Sequence, residues 1–157
     1  MTALDNSAKF QTALESNHHL SKALVNEALC IHGSKDIATT ESQIASEFQK
    51  DPVNFVKIHQ GLEAAINGDQ AKSDPQFAAS LYRDVAVMDQ AVARLWMGKD
   101  TLGAGVMLGN ESMSDPYNAK NAIAKAEKLD PANKDLPQLH LIQNDLAGMA
   151  WPDKTKS

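Results

Sequence analysis

The chain carries a single cysteine, Cys30, so no disulfide can form within it. A reducing compartment suits such a chain, and the cytoplasm is the expected location, with export by a signal-less route left open. Met1 to Asp5 shows no basic segment leading into an apolar run, so no signal peptide is expected. Long hydrophobic runs are also missing. The longest nearly apolar stretch, Leu102 to Gly109, is rich in glycine and falls far short of the roughly 18–20 residues that span a bilayer. Aromatic residues make up only 5% of the chain, which with abundant alanine favours close-packed helices over a β-sandwich. Basic charge is scarce as well. Fifteen Lys and Arg stand against 20 Asp and Glu, giving a net charge of -5 and no basic cluster, so phosphate neutralisation on a nucleic acid is not expected.

Motifs with specific chemistry are absent too. There is no Gly-x-Ser-x-Gly and no Walker sequence. Gly103-x-Gly105-x-x-x-Gly109 misses dinucleotide-loop spacing by one residue and follows no strand-like segment, so it reads as close backbone packing or a loop. Glu15-x-x-His18 has the spacing of a bundle di-iron ligand pair, but no second Glu-x-x-His accompanies it. Cys30 and His32 would point about 200° apart on a helix; zinc would need a loop there, with His18 or His19 folded back. Amid Ala28, Leu29 and Ile31, Cys30 reads as a small core residue. His59, four residues before Glu63, and His140, between Leu139 and Leu141, read as partly buried, hydrogen-bonded histidines. The acidic residues read as caps and surface charge. No catalytic, metal or cofactor-binding residue is assigned.

What the chain does have is punctuation. Four of its six prolines follow aspartate: Asp51-Pro52, Asp74-Pro75, Asp115-Pro116 and Asp130-Pro131. Aspartate caps a helix N-terminus, and proline fits the first helical turn, where its missing N–H costs nothing. Residues 4–32 read as one or two helices with Phe10, Leu14, Leu20 and Leu24 inward, ending at His32-Gly33. Thr40 to Lys50 reads as a short helix capped by Thr39 or Thr40. Asp51-Pro52 opens another with Phe55, Ile58, Leu62 and Ile66 on one face, closed by Asn67-Gly68. Residues 68–73 read as a linker. The strongest helix starts at Asp74-Pro75 and carries Phe77, Leu81, Val85, Met88, Val92 and Leu95, with Arg83, Asp84 and Arg94 on the other face. Residues 101–113 are open between helix and loop. A helix follows Asp115-Pro116, and the last begins near Asp135-Leu136-Pro137. The expectation is an all-α, single-domain bundle of six or seven short helices over residues 1–150, with a subdivision near 68–74 as an option, then a polar tail at 151–157. In the C-terminal half, stacked helical hairpins are one arrangement.

The order Ala119, Ile123, Ala126 and Pro131, with Leu129-Asp130 before the proline, resembles the second helix of a tetratricopeptide-type repeat. The likeness covers residues 115–150. Gly103, Val106, Met107 and Asn110 stand where that family's first helix prefers an aromatic, a leucine, a small residue and a tyrosine, and no 34-residue period runs upstream. The resemblance implies a helical hairpin and protein or peptide binding in a groove. Leu139 and Ile142 on the final helix, with Trp151 beyond it as an exposed anchor, are the candidate partner-contacting residues. The function expected is a non-catalytic helical protein-binding protein: an adaptor, a chaperone-like protein or an inhibitor. The alternatives are a metal- or haem-binding bundle, an enzyme with a dispersed site, and a secreted helical effector or toxin.

Overall fold

The computed structural model describes residues 3–15, 20–33, 36–99, 101–109 and 118–150. Among the described residues the chain forms nine α-helices and no strand: α1 (Ala3–Glu15), α2 (Lys22–Gly33), α3 (Ile37–Lys50), α4 (Pro52–Ile66), α5 (Asp69–Ser73), α6 (Pro75–Trp96), α7 (Thr101–Leu108), α8 (Ala119–Leu129) and α9 (Leu136–Ala150). The all-α, single-domain bundle is therefore the architecture, with more helices than the sequence pattern suggests. Residues 4–32 form two helices, one of the two readings of that stretch, and the segment left open at 101–113 is helical over 101–108; the helix with no counterpart in the pattern is 69–73. Residues 69–73 are a short helix and not a linker, because Ala71 buries itself under α6 and Asp69 and Lys72 complement the helix dipole. α7 is helical despite its glycines because Ala104, Gly105 and Leu108 are buried against neighbouring helices.

The aspartate caps work as their chemistry dictates. Asp51 accepts a hydrogen bond from the Val53 amide with Pro52 at the first helical position, and Asp74 accepts one from the Phe77 amide ahead of Pro75. Asp74 also takes a 2.6 Å ion pair from Lys9 of α1, and this hydrogen bond holds its carboxyl below the usual aspartate range. Two caps differ from expectation. α3 begins at Ile37, capped by Asp36 and not by Thr39 or Thr40, since the Asp36 carboxylate takes both the Thr39 amide and its hydroxyl. α8 begins at Ala119, where the buried Asn118 side chain accepts from the Asn121 amide. Asp115-Pro116 lies outside the described residues.

α6 is the axle of the bundle. From Leu81 to Ala93 every residue is buried, and α2, α3, α4, α5, α7, α8 and α9 all touch it. The main core joins residues of α1–α6 with α8 and α9, so it runs unbroken past residues 68–74. A smaller cluster of Ala93, Ala104, Leu108, Ala119 and Leu146 fills the far end. Arg83 and Asp84 are consequently not on a solvated face; they are 3% and 0% exposed.

A buried polar side chain must find partners, and each on α6 finds one on a different helix. Asp84 pairs with His32 of α2 at 2.7 Å and with Arg83 at 2.9 Å. Arg83 also donates to the Ile31 carbonyl and reaches Asp135, ahead of α9, at 3.3 Å. Asp89 pairs with His59 of α4 at 3.0 Å. Gln90 donates to the Leu139 carbonyl and to Gln143 of α9, and Gln143 donates to the Leu108 carbonyl of α7.

These links differ in cost. Asp84→Ala takes the shared carboxylate from a buried imidazole and from a buried guanidinium that keeps only the longer contact to Asp135, and should cost about 3–5 kcal/mol. Asp74→Ala, removing a cap at the surface, should cost about 1–2 kcal/mol. Urea unfolding of the two variants is expected to give midpoints in that order.

Candidate functional site

Asp51 is at once the C-cap of α3 and the N-cap of α4, so a single residue joins the two helices. The chain must turn there, and the wedge between the helices is not filled. α2 and Met88 of α6 close it into a cavity of about 220 Å³. Its inner wall is apolar, built from Ile31, Ile44, Ile58 and Met88. Phe48 and Phe55 line one side, their rings edge to face at 5.2 Å, with Trp96 set edge-on to Phe48 behind them. The rest of the lining is polar and includes Thr40, Gln43, Asn54, Cys30 and three carboxylates, Glu27, Glu47 and Asp51.

No lysine, arginine or histidine is part of that lining. Among the described residues none of the three carboxylates has an ion-pair partner. Burial pushes the Glu27 carboxyl up to about 7, helped by a hydrogen bond with Glu47 and by the charges of Glu47 and Asp51. Two carboxyl groups can share a hydrogen bond only when one keeps its proton, so this pair holds a proton near neutral pH.

Two further titrating groups lie outside the lining. Glu41 is fully buried; burial raises it to about 8 against the pull of Arg94 at 3.2 Å, and its Oε1 has no hydrogen-bond partner. Burial alone would lower His59, but Asp89 on one ring nitrogen and Glu63 on the other, at 3.0 and 2.7 Å, hold it up at about 9. With both nitrogens committed to carboxylates, His59 acts as an internal cation.

The residues singled out from sequence are scattered. Leu139 is buried in the main core, and Ile142 is half-buried against both clusters. Trp151 lies outside the described residues, as do His18 and His19. Cys30 is exposed and not a core residue, because α2 turns it toward the cavity and not toward α6. His140 is half exposed and meets Glu127 at 3.2 Å across the α8–α9 hairpin. Ala119, Ile123 and Ala126 are buried, and α8 packs chiefly on α6. Among the described residues no group of three His, Cys, Asp or Glu side chains is placed to hold a metal ion, and no helix is long and apolar enough to cross a membrane.

The cavity acids were not apparent from the chain read end to end. Their signal is a repeated local pairing: Glu27 with Ile31, Ile44 with Glu47 and Phe48, and Asp51 with Phe55 and Ile58, each at helical spacing. Comparison with protein-family models, with curated proteins and with solved structures gives no match.

The titrations share one sign. The folded chain holds protons on Glu27, Glu41 and His59 that the unfolded chain would release. Their stabilisation is full below the unfolded values and is lost as pH rises through about 7, 8 and 9 respectively. Stability measured by urea unfolding should therefore be higher at pH 5.5 than at pH 9. In His59→Gln the fall between pH 6.5 and 9 should flatten.

Proposed function

We propose that this chain is a non-catalytic helical binding protein that seats an apolar side chain of a partner peptide between α2, α3 and α4. The observation that carries this reading is the cavity itself: an apolar inner wall with two aromatic rings, left unfilled beside the main core. At about 220 Å³ it lies below the roughly 300–1,000 Å³ of pockets that enclose a drug-sized ligand. That volume suits one large side chain carried by a longer segment. Nucleophilic chemistry finds little support here, since Cys30 has no histidine beside it in the lining. An adaptor, a chaperone-like protein or an inhibitor would each use such a site. We place the chain in the cytoplasm, where an exposed Cys30 stays a thiol. The likeness of residues 115–150 to a tetratricopeptide hairpin adds a second reason to expect peptide partners.

Cys30 supplies the test, because it is the only cysteine and lines the cavity. Millimolar N-acetylphenylalaninamide should slow its alkylation by iodoacetamide several-fold, while N-acetylglycinamide should not. Asn54→Trp, which places an indole in the cavity lining, should abolish the protection. Equal effects of the two amides, or none from either, would refute the reading.

A further inference from the structure

The cavity joins two features with different requirements. Its wall asks for an apolar group, and its three carboxylates, Glu27, Glu47 and Asp51, ask for a positive charge that no residue of the lining supplies. From α3 and the α3–α4 joint, Glu47 and Asp51 face Glu27; along α2 the neighbouring titratable group is Cys30. α4 and α6 contribute Asn54, Ile58 and Met88 to the lining, none of them charged. Lys50 and Lys57, which flank this stretch of sequence, are exposed and lie outside the lining. Asp51 spends one oxygen capping α4, which leaves Glu27 and Glu47 as the pair with acceptor capacity to spare.

Resting on the binding reading above, we infer that the preferred occupant is a peptide in which the apolar side chain is followed directly by lysine or arginine, and that the arriving cation displaces a proton held between Glu27 and Glu47. The geometry supports both parts. A buried apolar anchor brings the adjacent side chain to the cavity mouth, where an ammonium can donate to two carboxylates at once. The cation then does what the shared proton does in the free protein, relieving repulsion between two acids that cannot both ionise cheaply. Glu27 titrates near neutrality in the free protein. Binding of a basic peptide is therefore linked to proton release, and its affinity rises as pH increases from about 5 to 7 before levelling off. A glutamine in place of the lysine gains nothing from this exchange, and a glutamate is repelled.

Three probes separate this inference from the one it rests on: N-acetyl-Phe-Lys-amide, N-acetyl-Phe-Gln-amide and N-acetyl-Phe-Glu-amide, each titrated by protection of Cys30. At pH 7.5 and low salt the lysyl peptide should bind about five- to tenfold more tightly than the glutaminyl peptide, a size set by charge-assisted hydrogen bonding at a partly exposed site. The glutamyl peptide should bind most weakly. The lysyl preference should shrink at pH 5.5 and in 1 M salt. In Glu27→Gln the lysyl and glutaminyl peptides should approach equal affinity, and the pH dependence of their ratio should disappear. Protection by all three peptides with equal affinity would overturn the cation preference and leave the cavity as a binding site. Protection by none would overturn the binding reading itself. A lysyl preference that persists unchanged at pH 5.5 or in Glu27→Gln would overturn the assignment of the proton to Glu27 and Glu47.

Discussion

A helix with no solvent face has to satisfy its polar side chains inside the protein, and α6 is such a helix from Leu81 to Ala93. The rest of the bundle is arranged by that requirement. Arg83, Asp84, Asp89 and Gln90 each reach a different neighbour, and through those contacts α2, α4, α9 and the turn before α9 take up fixed positions around the axle. Hydrophobic burial supplies most of the stabilisation, but it is non-directional. The polar contacts select one arrangement of helices from the several that would bury the same apolar stripes. Phe10 belongs to this system as well: it stacks on the His32 ring at 4.0 Å and so ties α1 to the same knot as Asp84.

The candidate site is what remains where that packing stops. α3 and α4 are held on α6 by Glu41 to Arg94 and by His59 to Asp89. They are also joined to each other by one residue. Those constraints leave a wedge that α2 covers only in part. The acids around it are costly for the folded state, since desolvation and mutual repulsion raise Glu27 without any basic residue in the lining to offset them. Unrelieved electrostatic cost of this kind is concentrated at places that bind something.

Much of the fold is legible in the chain. Period-3.6 stripes and Asp-Pro caps locate α3, α4, α6 and α9 to within a few residues, because apolar spacing and backbone capping are local properties. What the chain hides is which charged residues go inside. Arg83 and Asp84 look like a solvated pair on an amphipathic helix, and only the presence of helices on every side of α6 makes them internal. Cys30 shows the converse: flanked by apolar residues, it reads as core, yet the path of α2 turns it outward. The cavity was not legible for the same reason. Glu27, Glu47 and Asp51 belong to two helices and the residue that joins α3 to α4, and nothing local records that these pieces converge.

Gly109 closes α7 with a φ of +84°, the left-handed conformation that glycine adopts without strain. A Cβ at that position would stand 2.5 Å from the Asn118 side-chain oxygen and 2.7 Å from Lys120 Cβ. The chain therefore leaves α7 and enters α8 at nearly the same point in space. A side chain at position 109 would therefore push the Asn118 cap away from the end of α7 and loosen the seat of α8 on α6.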